Sequence, residues 1–339
     1  VRTLARYLLC LAVCCAFAPP QGIKQFVIDG IAQGTTYHIS YYDSHERITK
    51  GQVDSVLAVI DNSMSIYKPS SLISKINRSE DGGMVDQHFK TVLEKSFEVY
   101  RETRGKFDLT VGPLVAAWGF SNRRVSALPD SAKIDSLLPC VGMGKLRLEG
   151  NRLYKAMPCV EVDVNGIAQG YSVDVLADFF LAKGIVNFIV EVGGELRVSG
   201  KKPGGDAFKV GLEGPGKSPH EPPSIKHVVA LRKGALTTSG NYRKFVEQGG
   251  KSYGHLIDPS TGYPFKTAML SVTVYAPDAI TADGYDNALM AMDIEEALLF
   301  IRKHRKMEAY FIYQNKEGMV VDTMSNGFRK LISDNKNNE

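Results

Sequence analysis

Three stretches of this chain require neighbouring strands to pair as tight antiparallel hairpins. KLRLEGNRLYKAM alternates apolar and polar residues on both sides of Gly150-Asn151, a two-residue turn signal. Ile189 to Val198 (IVEVGGELRV) reads as two short strands across Gly193-Gly194. Phe26 to Tyr42 alternates like strands broken at Gln33-Gly34-Thr35. Strands that adjoin in sequence, with few helices between them, exclude a doubly wound parallel sheet. They predict an α+β chain with antiparallel or mixed sheets and flanking helices. At 339 residues the chain can bury a sizeable core.

Helical spacing of apolar residues marks Thr49 to Met64 and Asp86 to Arg104, the second closed by Gly105. Between them MSIYKPSSLISKIN forms a loop around Pro69 with Tyr67 at its mouth. KFDLTVGPLVAAWGF, residues 106–120, is an apolar crossing broken at Gly112-Pro113 and anchored by Trp118. Val160 to Val164 reads as a strand that enters a turn holding Gly166 and Gly170, then a helix from Ser172 to Lys183 ending at Gly184. Such a turn lets backbone approach a ligand closely, and the helix start can accept phosphate. The spacing is neither a dinucleotide fingerprint nor a Walker loop. Further strands are expected at Phe208 to Leu212, at Val228 to Leu231 and last at Ala309 to Gln314, with GPGKSPHEPPS irregular. HLIDPSTGYP is a turn built on Asp258-Pro259 and Thr261-Gly262. Asp293 with Glu296 predicts a capping box for a helix from Ile294 to His304.

A net charge of +4 with no Lys/Arg-rich block excludes nucleic acid as a partner. Residues 1–21 have the layout of an export signal: Arg2 and Arg6, a short apolar run, then small residues. Leu11-Ala12-Val13-Cys14 resembles a lipoprotein box, with Cys15 a second candidate for lipidation. The expectation is therefore a single domain over 22–333, exported and lipid-anchored, with a polar tail at 334–339. Beyond the signal only Cys140 and Cys159 remain. They would face each other past the ends of the Gly150-Asn151 hairpin, either as a disulfide or as two buried thiols.

The chemistry concentrates late in the chain. Val272 to Ala276 is a short apolar strand, Pro277-Asp278 a turn, and the helix-like run that follows carries Asp283, Asp286 and Asn287. Positions i, i+3 and i+4 share a helix face, so two carboxylates and an amide oxygen point one way. Three hard oxygen donors suit Mg²⁺. Acidic residues at a helix start also serve the dipole, so the run alone leaves both readings open.

Eight stretches in order carry a resemblance to a known family: Gln33-Gly34-Thr35, MSIYKPSSLISKIN, KFDLTVGPLVAAWGF, VDVNGIAQGYSVD, VEVGGELRVSG, TTSGNYRKF, HLIDPSTGYP and ADGYDNALMAMD. From about Phe26 to Leu331 the chain resembles the ApbE family of FAD:protein FMN transferases. The resemblance implies a fold related to the tunnelling fold, with two lobes holding FAD between them. It also implies a reaction in which FAD is substrate, Mg²⁺ sits on its diphosphate, and FMN passes to a threonine of a partner protein with release of AMP. The acceptor would be a subunit of a membrane electron-transfer complex, met on the periplasmic side of the inner membrane.

Matched by motif, Asp283, Asp286 and Asn287 fall at metal positions, with the Gly166 carbonyl a further ligand. Gln33, Tyr67, Lys106, Phe107, Asp108, Asp163, Gln169 and Ile257 fall at flavin-nucleotide positions. Asp283 is expected to be essential to catalysis, and His255 and Asp163 are the candidates for moving the threonine proton. Two positions depart from the family: Asn287 stands where Thr is common, and Gln169 where many members have Lys or Glu. The resemblance also leaves open an FAD pyrophosphatase, since some relatives hydrolyse FAD to FMN and AMP, and the two departures keep in view a lipoprotein that binds FAD without turning it over.

Overall fold

The computed structural model describes residues 22–120, 127–215, 224–241, 245–248 and 251–333. The expected signal, the polar tail, positions 216–223 of the Pro/Gly segment and Tyr242 to Lys244 of TTSGNYRKF lie outside them. The chain opens with β1 (Lys24–Ala32), β2 (Thr35–Asp43), α1 (Lys50–Met64), α2 (Leu72–Arg78), β3 (Gly82–Met84) and α3 (Gln87–Glu102). Then come α4 (Gly112–Ala117), α5 (Ser131–Leu137), β4 (Leu146–Glu149), β5 (Arg152–Lys155), α6 (Ala168–Ala182), β6 (Phe188–Val192) and β7 (Glu195–Ser199). It continues with β8 (Phe208–Gly214), β9 (Ser224–Leu231), β10 (Lys233–Gly240), β11 (Phe245–Gln248), β12 (Lys251–Gly254) and β13 (Met269–Ala276). Last come α7 (Ala279–Met290), α8 (Ile294–Lys303), β14 (Glu308–Gln314), β15 (Val320–Met324) and α9 (Asn326–Arg329).

The expected hairpins form. Glu149 pairs with Arg152 across Gly150-Asn151, Val192 with Glu195 across Gly193-Gly194, and Ala32 with Thr35 across Gln33-Gly34. Gly193 and Gly194 both take positive φ, at 63° and 111°, the backbone a two-residue hairpin turn requires. The main sheet has eight strands in the order β1-β2-β6-β7-β10-β13-β14-β15, and every neighbouring pair is antiparallel. A second sheet, β3-β5-β4, lies with α2 and α3.

Strand alternation sets the two faces of the main sheet. Along β10, Ala235 packs with Val173, Phe180 and Ala279 from the helices. Its neighbour Leu236 packs with Phe208, Leu212 and Val229 from the β8–β9 pair. Fully buried side chains such as Phe180 and Phe188 each contribute about 2–3 kcal/mol by leaving water. α7 is apolar or small on nearly every side and is buried all round, as a helix enclosed by the core must be.

Several elements differ from the sequence reading, each for a local reason. Val160 to Val164 is not a strand: the Asn77 side chain takes the place of a partner, donating to the Val162 carbonyl at 2.9 Å and accepting from its amide at 2.8 Å. α6 starts at Ala168, four residues before the expected Ser172. Close packing on α7 overrides the roughly 1 kcal/mol that a helical glycine such as Gly170 costs. Gly112-Pro113 opens α4 instead of breaking a helix, with Pro in its first turn, where its missing N–H goes unneeded. Part of the Pro69 loop winds into α2, capped by Ser71 through the Ser74 amide. Asp293 caps α8 through the Glu296 amide, but the Glu296 carboxylate turns instead to Lys106 at 3.4 Å. β14 is not the last strand, since β15 adds an edge beyond it. Cys140 and Cys159 form a disulfide with Cα atoms 5.4 Å apart.

Candidate active site

α7 is positioned from both ends of its N-terminal half. Asp278 caps it through the Thr281 amide at 3.0 Å. Asp174 of α6 accepts from the next free amides, Ala279 at 2.9 Å and Ile280 at 2.8 Å, and is itself held by Arg197 at 2.9 Å. Helix starts leave such amides unpaired, so an anionic acceptor there both caps and orients the helix. Gly170 makes the closest approach. A Cβ at that position would sit 2.4 Å from the Ala279 carbonyl oxygen and 2.6 Å from Asp283 Cβ. The absent side chain lets the Gly170 amide donate to Asp283 Oδ2 at 2.8 Å.

Asp283 and Asp286 are 4% and 1% exposed. Asp286 Oδ2 accepts from the Thr237 hydroxyl at 2.6 Å. Among the described residues, the partners of both carboxylates are amides and a hydroxyl, with no cationic side chain. Burial pushes the Asp283 carboxyl up to about 7. Burial and then the charge of Asp283 raise Asp286 well above the usual carboxylate range. Glu195 is raised in the same way, by burial first and then by the charges of Asp283 and Asp286. Three mutually repelling carboxylates with no basic partner among the described residues are a demand for positive charge.

The donor set fits a hard divalent cation. Asn287 Nδ2 lies 3.2 Å from the Gly166 carbonyl oxygen, 3.1 Å from the Asp283 carbonyl oxygen and 3.0 Å from Asp286 Oδ1. Asn287 Oδ1 accepts from the Ser239 hydroxyl at 3.1 Å. Oxygens from a turn, a helix backbone and a carboxylate thus converge on one amide NH₂. A hydroxyl can donate or accept, so Ser239 can also serve the amide turned the other way, with its oxygen toward a cation. Among the described residues no three His, Cys, Asp or Glu side chains converge as a metal cage. The set is therefore mixed, with an amide and a carbonyl beside the carboxylates, and oxygen donors with a small charge count suit Mg²⁺.

The remaining expected residues fall into two groups around this centre. At the start of α6, Gln33 donates to the Ser172 hydroxyl at 2.7 Å, and Gln169 lies across Gly193, where a Cβ would meet its Nε2 at 1.8 Å. The second group is organised by residues 106–120. Phe107 is buried, and its ring is 3.5 Å from where a Gly166 Cβ would stand. The Leu109 carbonyl accepts from the Asp163 amide at 2.7 Å, and Asp163 packs against Gly112. Burial raises the Asp163 carboxyl. Ile257 packs with Leu114 and Trp118, and Trp118 Nε1 donates to the Gly262 carbonyl at 2.8 Å. The His255 ring lies edge-on to Phe120, with centroids 6.2 Å apart.

Three expected residues sit differently. The Asp108 carboxylate points inward, accepting from the Thr110 amide at 2.7 Å and the Met143 amide at 3.0 Å; burial is the main reason its pKa is raised. Lys106 reaches the far end of α7, donating to the Ala291 carbonyl at 3.1 Å. Tyr67 is 53% exposed and its hydroxyl accepts from Asn165 at 3.3 Å, one residue from Gly166. Sequence reasoning missed Asp174, Glu195, Thr237 and Ser239. Only the last two carried a readable signal, since residues two apart in a strand share a face.

A sequence model of the ApbE family matches residues 33–311. The chain is 32% identical over 317 residues to an FAD:protein FMN transferase of Vibrio cholerae, spanning 91% of this chain and 93% of that one. It is 32% identical over 321 residues to one of Haemophilus influenzae, spanning 91% and 92%. The solved structure of the flavin transferase ApbE from Vibrio cholerae superposes with a TM-score of 0.82 at 30% identity, over 91% of this chain and all of that one. The apo form of Pseudomonas stutzeri flavinyl transferase ApbE superposes with a TM-score of 0.81 at 29% identity, over 91% and 97%.

Proposed function

This chain belongs to the ApbE family, and on that premise we propose that it is a transferase moving FMN from FAD to a threonine of an acceptor protein, with AMP as the second product. The threonine oxygen attacks the phosphorus on the FMN side of the diphosphate. The bond from that phosphorus to the bridging oxygen breaks, AMP leaves with the oxygen, and the hydroxyl proton passes to a base. The observation that carries the reading is the pair of buried aspartates on α7, facing the Gly166 carbonyl and Asn287 without a cationic partner.

Asp283, Asp286, Asn287 and the Gly166 carbonyl would hold Mg²⁺, which supplies charge neutralisation and Lewis-acid polarisation at the diphosphate. The Gly166 and Gly170 approach keeps side chains out of the space between α6 and α7. Phe107 closes one wall beside Gly166, and Tyr67 is an exposed ring that touches that turn through Asn165. His255 and Asp163 both pack on residues 106–120, and either can take a proton once the substrate is in place. Burial raises the Asp163 carboxyl, the direction that makes a carboxylate a stronger base. The disulfide supports placing the domain in an oxidising compartment, consistent with export, a lipid anchor and an acceptor in a membrane electron-transfer complex.

The test incubates the protein with FAD, Mg²⁺ and a threonine-bearing acceptor fragment, then follows in-gel flavin fluorescence and AMP. A fluorescent acceptor with AMP is the expected result. AMP and free FMN without labelling would make the protein a pyrophosphatase, and intact FAD throughout would make it a binding protein.

A further inference from the structure

Glu195 is the first residue after the Gly193-Gly194 turn, and no motif assigns it a role. β7 and β10 pair with Leu196 opposite Leu236, so continuing the register one step sets Glu195 beside Thr237. Residues opposite each other in an antiparallel pair share a face. Leu196 and Leu236 both pack toward β8 and β9, so Glu195 and Thr237 share the helix side of the sheet. Thr237 fixes that side as the site, because its hydroxyl is on Asp286. Glu195 as a residue is half-buried, but its Oε2 is sealed from solvent and has no hydrogen-bond partner among the described residues. An orphaned carboxylate oxygen in that position requires a donor or a cation.

Resting on the proposed function, we infer that Glu195 is a third anionic positioning group of the cation site, acting through a water molecule of the cation's shell. Direct ligation is disfavoured because no three carboxylates converge there among the described residues. Mg²⁺ keeps several of its waters when protein-bound, and each is a polarised donor that a buried carboxylate can accept. Glu195 would thus add negative charge beside the cation and hold one of its waters in place. The nearest guanidinium on the same strand does not compete, since Arg197 is held by Asp174 and Asp178 at 2.9 and 3.1 Å.

The test titrates Mn²⁺ into the purified protein and counts free ion by its electron paramagnetic resonance signal. It compares wild type, Glu195→Gln, Glu195→Asp and Asp283→Asn, with melting in EDTA measured alongside. The inference expects Glu195→Gln to bind Mn²⁺ at least tenfold more weakly, to melt no lower than wild type in EDTA, and to differ in its bound-Mn²⁺ spectrum. Glu195→Asp, which keeps the charge, should recover most of the affinity. Glu195→Gln binding within twofold of wild type would overturn the inference, as would a Gln variant that melts much lower, since that marks a structural role. Wild type failing to bind Mn²⁺, or Asp283→Asn binding as well as wild type, would instead overturn the cation reading of the whole site.

Discussion

Replacing Asp283 by Asn should stabilise the cation-free protein, and by an amount that grows with pH. Burial raises this carboxyl from 3.8 to about 7. A folded-state pKa above the unfolded value means the folded chain holds a proton that the unfolded chain has released. Between those two values the unfolded state binds fewer protons, so stability falls as pH rises. The advantage of the protonated form is complete below 3.8 and gone once pH passes about 7. A shift of about three units corresponds to about 4 kcal/mol. More than half of this accrues between pH 5 and pH 8.

The Asn variant does not titrate, and its Oδ1 can still accept the Gly170 amide that Asp283 Oδ2 accepts at 2.8 Å. For a chain of this size a change of 1 kcal/mol moves the melting midpoint by about 2 °C. In EDTA, the gap between variant and wild type should therefore widen by about 5 °C from pH 5 to pH 8, read by scanning calorimetry. Adding Mg²⁺ at pH 8 should raise the wild-type midpoint and leave the variant where it was. Parallel pH curves for the two proteins, or a variant less stable than wild type at pH 8, would refute the reasoning.

The disulfide should matter to both stability and the site. Cys140→Ser closes no loop across the 19-residue separation and should cost about 3 kcal/mol, read as a lower urea midpoint. It should also weaken FAD binding, because the loop after Cys140 carries the Met143 amide that holds Asp108. Lys155→Met should cost at least as much. Its buried ammonium donates to the carbonyls of Ile76, Asn77, Ser79 and Pro158 at 2.8–3.3 Å, and removing it leaves several of them unpaired, each loss worth about 1–3 kcal/mol. Urea unfolding of the variant measures it.

What could be read in the sequence were the features whose cause is local. The three hairpins follow from turn residues flanked by alternation, and the α7 carboxylates from helical spacing. The hairpin between Cys140 and Cys159 brings the two thiols close but leaves disulfide and free thiols equally open; the 5.4 Å Cα separation closes the question. What could not be read depends on partners far along the chain. Val160 to Val164 looks like a strand because it is extended and apolar, yet its edge is satisfied by one asparagine 85 residues away. Glu195 and Asp174 look like ordinary surface acids until β7 is laid beside β10 and α6 against α7. The β15 edge leaves little trace in the sequence because VVDTM is short and its apolar residues are exposed or half-exposed.

The cost of the α7 arrangement is itself evidence about what it is for. A helix buried on all sides would be more stable with leucines at positions 283 and 286, since isolated carboxylates in such a place are destabilising by several kcal/mol. The fold instead positions other groups to tolerate them. Gly170 gives up its side chain so that its amide can reach Asp283, and β10 turns two hydroxyls toward Asp286 and Asn287. None of these neighbours carries a positive charge, so the carboxylates are solvated but not neutralised. Asp174, which caps α7, does pair with a base, Arg197 of β7. The difference between those two environments, within one helix pair, is what the proposed cation at the α7 site accounts for.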